Sequence, residues 1–589
     1  MRPVMRPRTP MRRSVLLAAM SNLVLLQQPL FAQTYLQPPE YEQVDRNGVD
    51  LLSGSATFNV ELGSVGSGPG EIKYRSLWFG NQDSNSLVNT LALYDNAGSK
   101  GSKDNYSATA TFDGSSKTFT ETPPSGSQIW VLARGTGATL VYSSPNYVLT
   151  LQDGEVRTYG VPSGTSSVWV LVSRVEPNGV TWTYQWQPGP TLGSWRPISV
   201  TNNLGFSVSL VYLSDVTSSA DWDFVKTVNF YNLAISTTVP VSTASRTRIS
   251  NGIQAVTTGG QVWNVIGLTA PAAPDTYYSN TQFQVKTPSS STTNLSYNAV
   301  TLKISTLPTV NMHVTTSAVN NGLTYNYDFS MSNATGSYIG ETKVTDPLNN
   351  VLDLQYTYYT SPLSQAAFPL KVTDPLTRST QYATNGYIIT SVTRPAGDQD
   401  VYGYDGRYNV TSITHVAIPG SGLVNRVEYA AFPSSCTNTI TCNRPTSTTD
   451  ANNNTTQYTY DPTHGGVLTE TLPAVNGISP VKRYSYVQRY AWISNGAGGY
   501  VHAASPVWLK NDERTCRTTA TVGNACSGGS ADELVNTYEY GPDSGPNNLL
   551  LRGLTVSSGG QSLRTCYTYD ASGNKISETK PLGTGGSCP

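Results

Sequence analysis

Two stretches, YTYDASGNKISETKP (Tyr567–Pro581) and YTYDPTHGGVLTETLP (Tyr458–Pro473), are near copies of one another. A third version, YGYDGRYNVTSIT, runs from Tyr402 to Thr414. Residues i and i+2 of a strand share a face, so Tyr567 and Tyr569 project together. Asp570 then caps a turn with its side chain. Gly573-Asn574 offers two residues that tolerate positive φ, as a tight hairpin turn demands. KISET begins the return strand. In the Tyr458 copy the turn is one residue longer, and Leu468, Glu470 and Pro473 then answer to Ile576, Glu578 and Pro581. An insertion in the turn leaves the strand faces unchanged. The unit is a hairpin whose first strand ends in an aromatic pair.

The pair recurs at Tyr325/Tyr327, Tyr356/Tyr358, Tyr402/Tyr404, Tyr458/Tyr460, Tyr484/Tyr486, Tyr538/Tyr540 and Tyr567/Tyr569. KVTDPLNNVLDLQYTYY and KVTDPLTRSTQYA show the other half of the unit: strand, Asp-Pro turn, strand running into tyrosine. One such hairpin cannot bury its own face, and stacking on the next one supplies the partner. Short alternating strands also fill 105–190, and RPISVTNNLGFSVSLVY (196–212) is one more hairpin of this type. Residues 213–320 have few landmarks and read as divergent hairpins. Charged residues make up only 13%, against roughly 25% in an average domain. With 51 Gly, 36 Pro and 36 Tyr, this composition favours strands and turns over helix. The expected fold is all-β, a curved or spiral sheet of stacked hairpins.

The first fourteen residues carry five Arg and no acid, and VLLAAMSNLVLL (15–26) follows. That is a signal-peptide pattern, too short for a spanning helix. The expected organisation is a signal at 1–32, an extended spacer at 33–44, a β-hairpin region at 45–212, a divergent β region at 213–320 and the repeats at 321–589. No further transmembrane segment is expected after cleavage, and the product is secreted or held at the cell surface. Six Cys allow fifteen connectivities. Loop closure costs less for short loops, so the expected pairs are Cys436–Cys442, Cys516–Cys526 and Cys566–Cys588. The net charge of −1 and the lack of a basic stripe argue against a nucleic-acid partner.

Candidates for chemistry are sparse. The four His (His313, His415, His464, His502) have no metal-ligand spacing and read as surface residues. Asp398, Asp400 and Asp405 read as turn acids, since the close spacing of a calcium loop is missing. Asp221 and Asp223 could pair as hydrolytic carboxyls. Trp182, Tyr184 and Trp186 alternate on one strand face. They read as sheet packing, or else as a ligand platform for carbohydrate. No cofactor and no catalytic residue are expected.

The Tyr-Asp units at 402–414 and 567–578 resemble those of the Rhs/YD-repeat family, related to Tc-toxin shells and teneurins. The 47–80 segment is similar to the Gly-Val-Asp opening of many members. The resemblance implies a sheet that spirals into a hollow shell around a toxic cargo. Members usually carry an Asp-Pro-x-Gly-Leu core motif, where the chain cuts itself, and then a variable effector. Here Asp346-Pro347 and Asp374-Pro375 lack the Gly-Leu and sit mid-array as turns. The expectation is a truncated or split member: an exported, non-enzymatic scaffold forming a partial shell, with a separately encoded core or toxin domain as partner. The alternative is a surface adhesin or carbohydrate-binding module. A hydrolase with its site in 213–320 is a third reading.

Overall fold

In the computed structural model the two near copies are hairpins of the same register. Tyr458 faces Glu470 and Tyr567 faces Glu578. The longer turn of the first copy is absorbed at Asp461–Gly466, where the Asp461 N–H donates to Gly466 O and the Gly465 N–H to Asp461 O. The structure describes residues 36–39, then 44–583 with short interruptions that all precede residue 388, and 588. The predicted signal at 1–32 and most of the 33–44 spacer lie outside the described residues. Among the described residues the helices are two three-residue 3-10 turns, Gly68–Gly70 and Ser530–Asp532. The all-β expectation holds.

One turn recurs through the chain. Asp346, Asp374, Asp405, Asp450 and Asp570 each accept the backbone N–H four residues on at 2.8–2.9 Å. The backbone of the Asp bonds the same residue, and residue i+3 takes positive φ: Asn349, Thr377, Tyr408, Asn453 and Gly573. This is a three-residue loop closing on a left-handed residue. Of Gly573-Asn574, only the glycine has positive φ. Asn574 instead returns its side-chain amide to Asp570 at 3.1 Å. Asp45 builds the same turn at the start of the described chain.

The sheet begins with a ring. Strands Thr90–Asp95, Tyr106–Phe112, Ser115–Glu121, Ile129–Leu132, Thr139–Ser143, Asn146–Thr150, Val156–Gly160 and Val168–Val175 pair consecutively. The last returns to the first through Val168↔Ala92 and Val170↔Thr90. An eight-stranded barrel is just wide enough for side chains to fill. Leu91, Leu140, Tyr147, Leu149, Tyr159 and Leu171 fill it.

Val168–Val175 is also the point of departure. Its second half pairs with Thr181–Pro188, and from there the sheet runs on as a meander, each strand beside the next. Residues 213–320 continue it without a break, with strands such as Val225–Asn232, Ser242–Ile249 and Asn311–Asn320. Burial alternates as the pattern requires. Phe206, Val208, Leu210 and Tyr212 are buried, while Ser207 and Ser209 between them are not.

A separate three-stranded sheet, Thr57–Val65, Ile72–Phe79 and Gln82–Asn85, lies against the ribbon. Val60, Leu62, Val65 and Tyr74 join Phe206, Val228, Phe230, Val265, Tyr327 and Tyr356 in the largest core. The segment before and within it crosses one ribbon strand after another. Thr342 Oγ1 donates to Leu51 O at 2.6 Å, and Thr258 N–H to Leu62 O at 2.8 Å. Asn202 Nδ2 donates to Gly70 O at 2.7 Å. It is a spine that ties the early strands together.

Candidate functional site: the ring relay and the coil seam

The second ring of five Tyr-x-Tyr pairs has a defined place, which Trp186 and Tyr212 share. Trp186, Tyr212, Tyr404, Tyr460, Tyr486, Tyr540 and Tyr569 each stand just after a register shift at which the following strand carries the extra residue. Such a bulge disrupts the ladder locally. The ring reaches back one strand, and its polar atom donates to the carbonyl of the residue that faces the preceding shift. Trp186 Nε1 donates to Leu171 O at 2.7 Å, and Tyr212 Oη donates to Pro197 O. Leu171 faces the shift at Tyr159, and Pro197 the one at Trp186. Later the pattern repeats: Tyr486 to Val467 at 3.1 Å, Tyr540 to Lys510 at 2.8 Å and Tyr569 to Leu551 at 2.7 Å. Val467, Lys510 and Leu551 face the shifts at Tyr460, Tyr486 and Tyr540. Tyr404 bonds Ile389 O at 2.8 Å in the same way, and Tyr460 bonds Pro445 O at 2.7 Å. Burial pushes the Tyr404, Tyr486 and Tyr540 phenols up, and Tyr569 up to about 12, so they stay protonated donors.

The ribbon coils onto itself. In a meander, alternate turns share a rim. The turns at 151–154, 176–179, 202–205 and 232–234 meet later turns of the opposite rim. Gln152 Nε2 donates to Asn409 Oδ1 at 2.5 Å, and Arg444 Nη2 to Asp153 O at 3.2 Å. Trp508 N–H donates to Asn178 O at 2.8 Å, and Asn203 Nδ2 to Ser505 Oγ at 3.0 Å. Asn232 Nδ2 reaches Asn547 Oδ1 at 2.8 Å and Ala571 O at 3.0 Å. A Cβ on Gly573 would stand 3.1 Å from Gly66 Cα and from the Phe206 ring. These bonds form a seam between an early and a late coil.

The first rings of the pairs, and the second ring Tyr327, are placed differently. Tyr402, Tyr458 and Tyr567 are half-buried. The Lys510 ammonium lies 4.9 Å from the Tyr484 ring and 5.4 Å from Tyr538. The Tyr327 hydroxyl donates to Asp45 Oδ2 at 2.6 Å and accepts from Asn47 Nδ2 at 2.8 Å. Tyr325 lies under Arg46, and Tyr356 is buried against Gly340. The Tyr358 side chain lies outside the described residues.

Trp182, Tyr184 and Trp186 form no exposed platform. Trp182 is 4% exposed and lies under the Arg174 guanidinium, 4.1 Å away. Tyr184 packs between the two main cores. Trp186 holds the second-ring place of the relay. The signal was present: Tyr184-x-Trp186 is a Tyr-x-Tyr pair with indole for phenol. The disulfides are Cys436–Cys442, Cys516–Cys526 and Cys566–Cys588. Cys516, Cys526 and Asp532 also stand within metal-ligand distance of one another among the described residues. The two sulfurs are bonded to each other, however, and Asp532 accepts from Thr518 and Thr519.

His464 is not a surface residue. It is 2% exposed, with its ring packed against those of Tyr486 and Trp508. His415 bonds Asp400 at 2.7 Å, and Arg394 holds both Asp398 and Asp400. Asp405 caps its hairpin. Asp221 pairs with Arg248, and Asp223 is exposed. His502 Nδ1 lies 2.9 Å from Ala503 O. The His313 side chain lies outside the described residues. Among the described residues no helix is long and apolar enough to cross a membrane.

No family model matches the chain, and no curated protein does. Solved structures do match over most of its length. One is the crystal structure of TcdB2-TccC3-TEV, at 13% identity and a TM-score of 0.25, covering 89% of this chain and 30% of that one. Another is TcdB2-TccC3 without its hypervariable C-terminal region, at 13% and 0.27, covering 90% and 30%. A third is the Photorhabdus luminescens Tc holotoxin pore, at 11% and 0.26, covering 92% and 37%. The chain thus spans about a third of the length of those structures.

Proposed function

We propose that this chain is an exported, non-enzymatic β-scaffold, one part of a shell whose next coil comes from a separate repeat-bearing chain. The asymmetry of the rims carries the reading. The rim that receives the late coil at 151–234 continues along the ribbon, and from 320 to 481 it carries exposed apolar side chains. Leu323, Leu348, Leu376, Leu423, Val424 and Val475 stand at its turns, with Leu348 and Val424 each 80% exposed. Large exposed apolar patches mark interaction sites. The occupant that suits this rim is the opposite rim of another hairpin ribbon, since that is what the early coil already binds. The resemblance of the repeats to the Rhs family supports the same partner, a chain bearing the core motif and a toxin.

The test mixes the purified chain with a repeat-bearing protein of the same organism that carries the Asp-Pro-x-Gly-Leu motif. A complex is expected in size-exclusion chromatography, with hydrogen exchange slowed at 346–350 and 374–378. Replacing Leu348 and Leu376 together by Asp should weaken it at least about tenfold, since burying an unpaired charge is costly. No complex, or protection confined elsewhere, would count against the reading. Specific hits on a glycan array would favour the carbohydrate-binding alternative. The intact mass of the incubated chain is expected to stay constant. A fragment ending at Asp346 or Asp374, lost on Asp→Asn, would reveal a cleaving site.

A further inference from the structure

We propose that the seam between the early and late coils opens in mild acid, and that protonation of His464 opens it. His464 sits in the turn Asp461–Gly466, on the late side of the seam. Its ring centroid lies 4.6 Å from those of Tyr486 and Trp508. Trp508 is itself a seam residue, donating its backbone N–H to Asn178 O. Asn438 Nδ2 donates to Pro462 O at 2.8 Å, which joins the turn to the disulfide loop 436–442. A Cβ on Gly465 would meet Ile440 at 2.8 Å and the Arg444 guanidinium at 3.2 Å. Arg444 in turn grips Asp153 O. The imidazole is therefore packed among the groups that make the contact.

The neutral ring is the one that fits. Nδ1 accepts the Gly466 N–H at 3.1 Å, so it carries no proton. A second proton there would remove the acceptor and turn two donors toward each other. It would also place a cation beside Arg444, inside an aromatic cleft. Burial and Arg444 disfavour the charged form, whereas Asp461, 3.5 Å from Nε2, favours it. Burial is the larger effect and holds the imidazole below its ordinary range.

The other groups around the ring are accounted for. Tyr486 gives its hydroxyl to Val467 O, and Trp508 does not titrate. On the early side stand Asp153, Glu155 and Glu176. Glu155 is bonded to Arg157 and Arg174. Glu176 is pushed up to about 7, chiefly by burial. It acts in the opposite sense, since its protonation relieves a buried charge. The histidine must therefore be separated from it by substitution.

A group whose folded form binds fewer protons stabilises the closed state above its unfolded pKa, and that contribution is lost as pH falls below it. For a histidine of ordinary pKa near 6.5 the window lies below about pH 6.5. Between pH 7.5 and 5.5 the opening equilibrium should rise by up to about tenfold. Hydrogen exchange of 461–466 and 176–180, corrected for intrinsic rate, reads this local opening. In the native chain, protection should fall in acid, and in His464→Gln that fall should vanish, leaving only the opposite change that Glu176 produces. Equal protection at both pH values, or a dependence unchanged in His464→Gln, would overturn the proposal. If that variant does not fold, the native protein still decides. With four histidines to resolve, NMR titration of the imidazole resonances should give His464 a pKa below 6.5, and a value at or above 6.5 would refute the mechanism.

Discussion

A phenol differs from a phenyl by one donor, and Tyr404, Tyr486, Tyr540 and Tyr569 each spend that donor on a carbonyl beside a bulge. Tyr540 illustrates the consequence. Its hydroxyl bonds Lys510 O within the sheet, whereas Tyr538 two residues earlier has its ring beside the Lys510 ammonium. Tyr540→Phe is expected to destabilise by about 1 kcal/mol, the usual net value of a buried hydrogen bond. Tyr538→Phe should cost less than about 0.5 kcal/mol, since the ring face that meets the ammonium is kept. Chemical denaturation of the two variants side by side tests the contrast. Equal losses would mean that the hydroxyl bond has no special part. Trp186 extends the argument, because an indole N–H replaces the phenol without loss of the bond.

At the scale of the hairpin, the unit was legible from spacing alone. Tyr458 and Tyr567 betray their register because turn, strand and aromatic pair all lie within about fifteen residues. The bulge was not legible, since a register shift leaves no mark on local composition. His464 was misread for a related reason. Asp-Pro-Thr-His-Gly-Gly has the composition of an exposed turn, and only packing against Tyr486 and Trp508, 22 and 44 residues further on, buries its imidazole. The early hairpin at 175–181 faces the same seam and supplies a pH test of its own. Glu176 has its carboxyl pushed up to about 7, chiefly by burial. A carboxyl raised in this way favours the protonated fold, so its cost grows as pH rises from about 4.5 toward 7. Glu176→Gln keeps an oxygen for Arg174 and carries no charge. It should raise the melting temperature at pH 8 and bring little change near pH 4.5. A constant difference across that range would contradict the assignment.

For the whole molecule, the seam is the feature that the sequence hides most completely. Its partners stand 257 residues apart at Gln152 and Asn409, and 339 apart at Asn232 and Ala571. That spacing is set by how many strands make one coil, which no motif records. One disulfide reinforces the closure. The Cys436–Cys442 loop is held by Arg407, whose Nη2 donates to Pro433 O at 2.6 Å, and it presents Ile440 and Arg444 to Gly154 and Asp153. Replacing both cysteines by serine should speed hydrogen exchange at 152–155 and 405–409 and leave 516–532 unchanged. Unchanged exchange at the seam would mean that the loop holds its shape without the covalent link.

The rims impose an arithmetic on how such a chain can change. Each strand carries the backbone from one rim to the other, so two turns of opposite rims meet across the seam only if an odd number of strands separates them. Gaining or losing a single strand would invert every later turn, sending Trp508 and Asn547 to the wrong side. Gaining or losing two restores the order. The two small inserted hairpins obey this parity: Trp492–Ser494 with Tyr500–His502, and Thr521–Val522 with Ala525–Cys526, each leave the rim and come back to it. The ring at the start obeys it too, because eight antiparallel strands can close and seven cannot. The quantum of growth for this architecture is therefore the strand pair, and a lineage of such proteins should differ in length by whole hairpins.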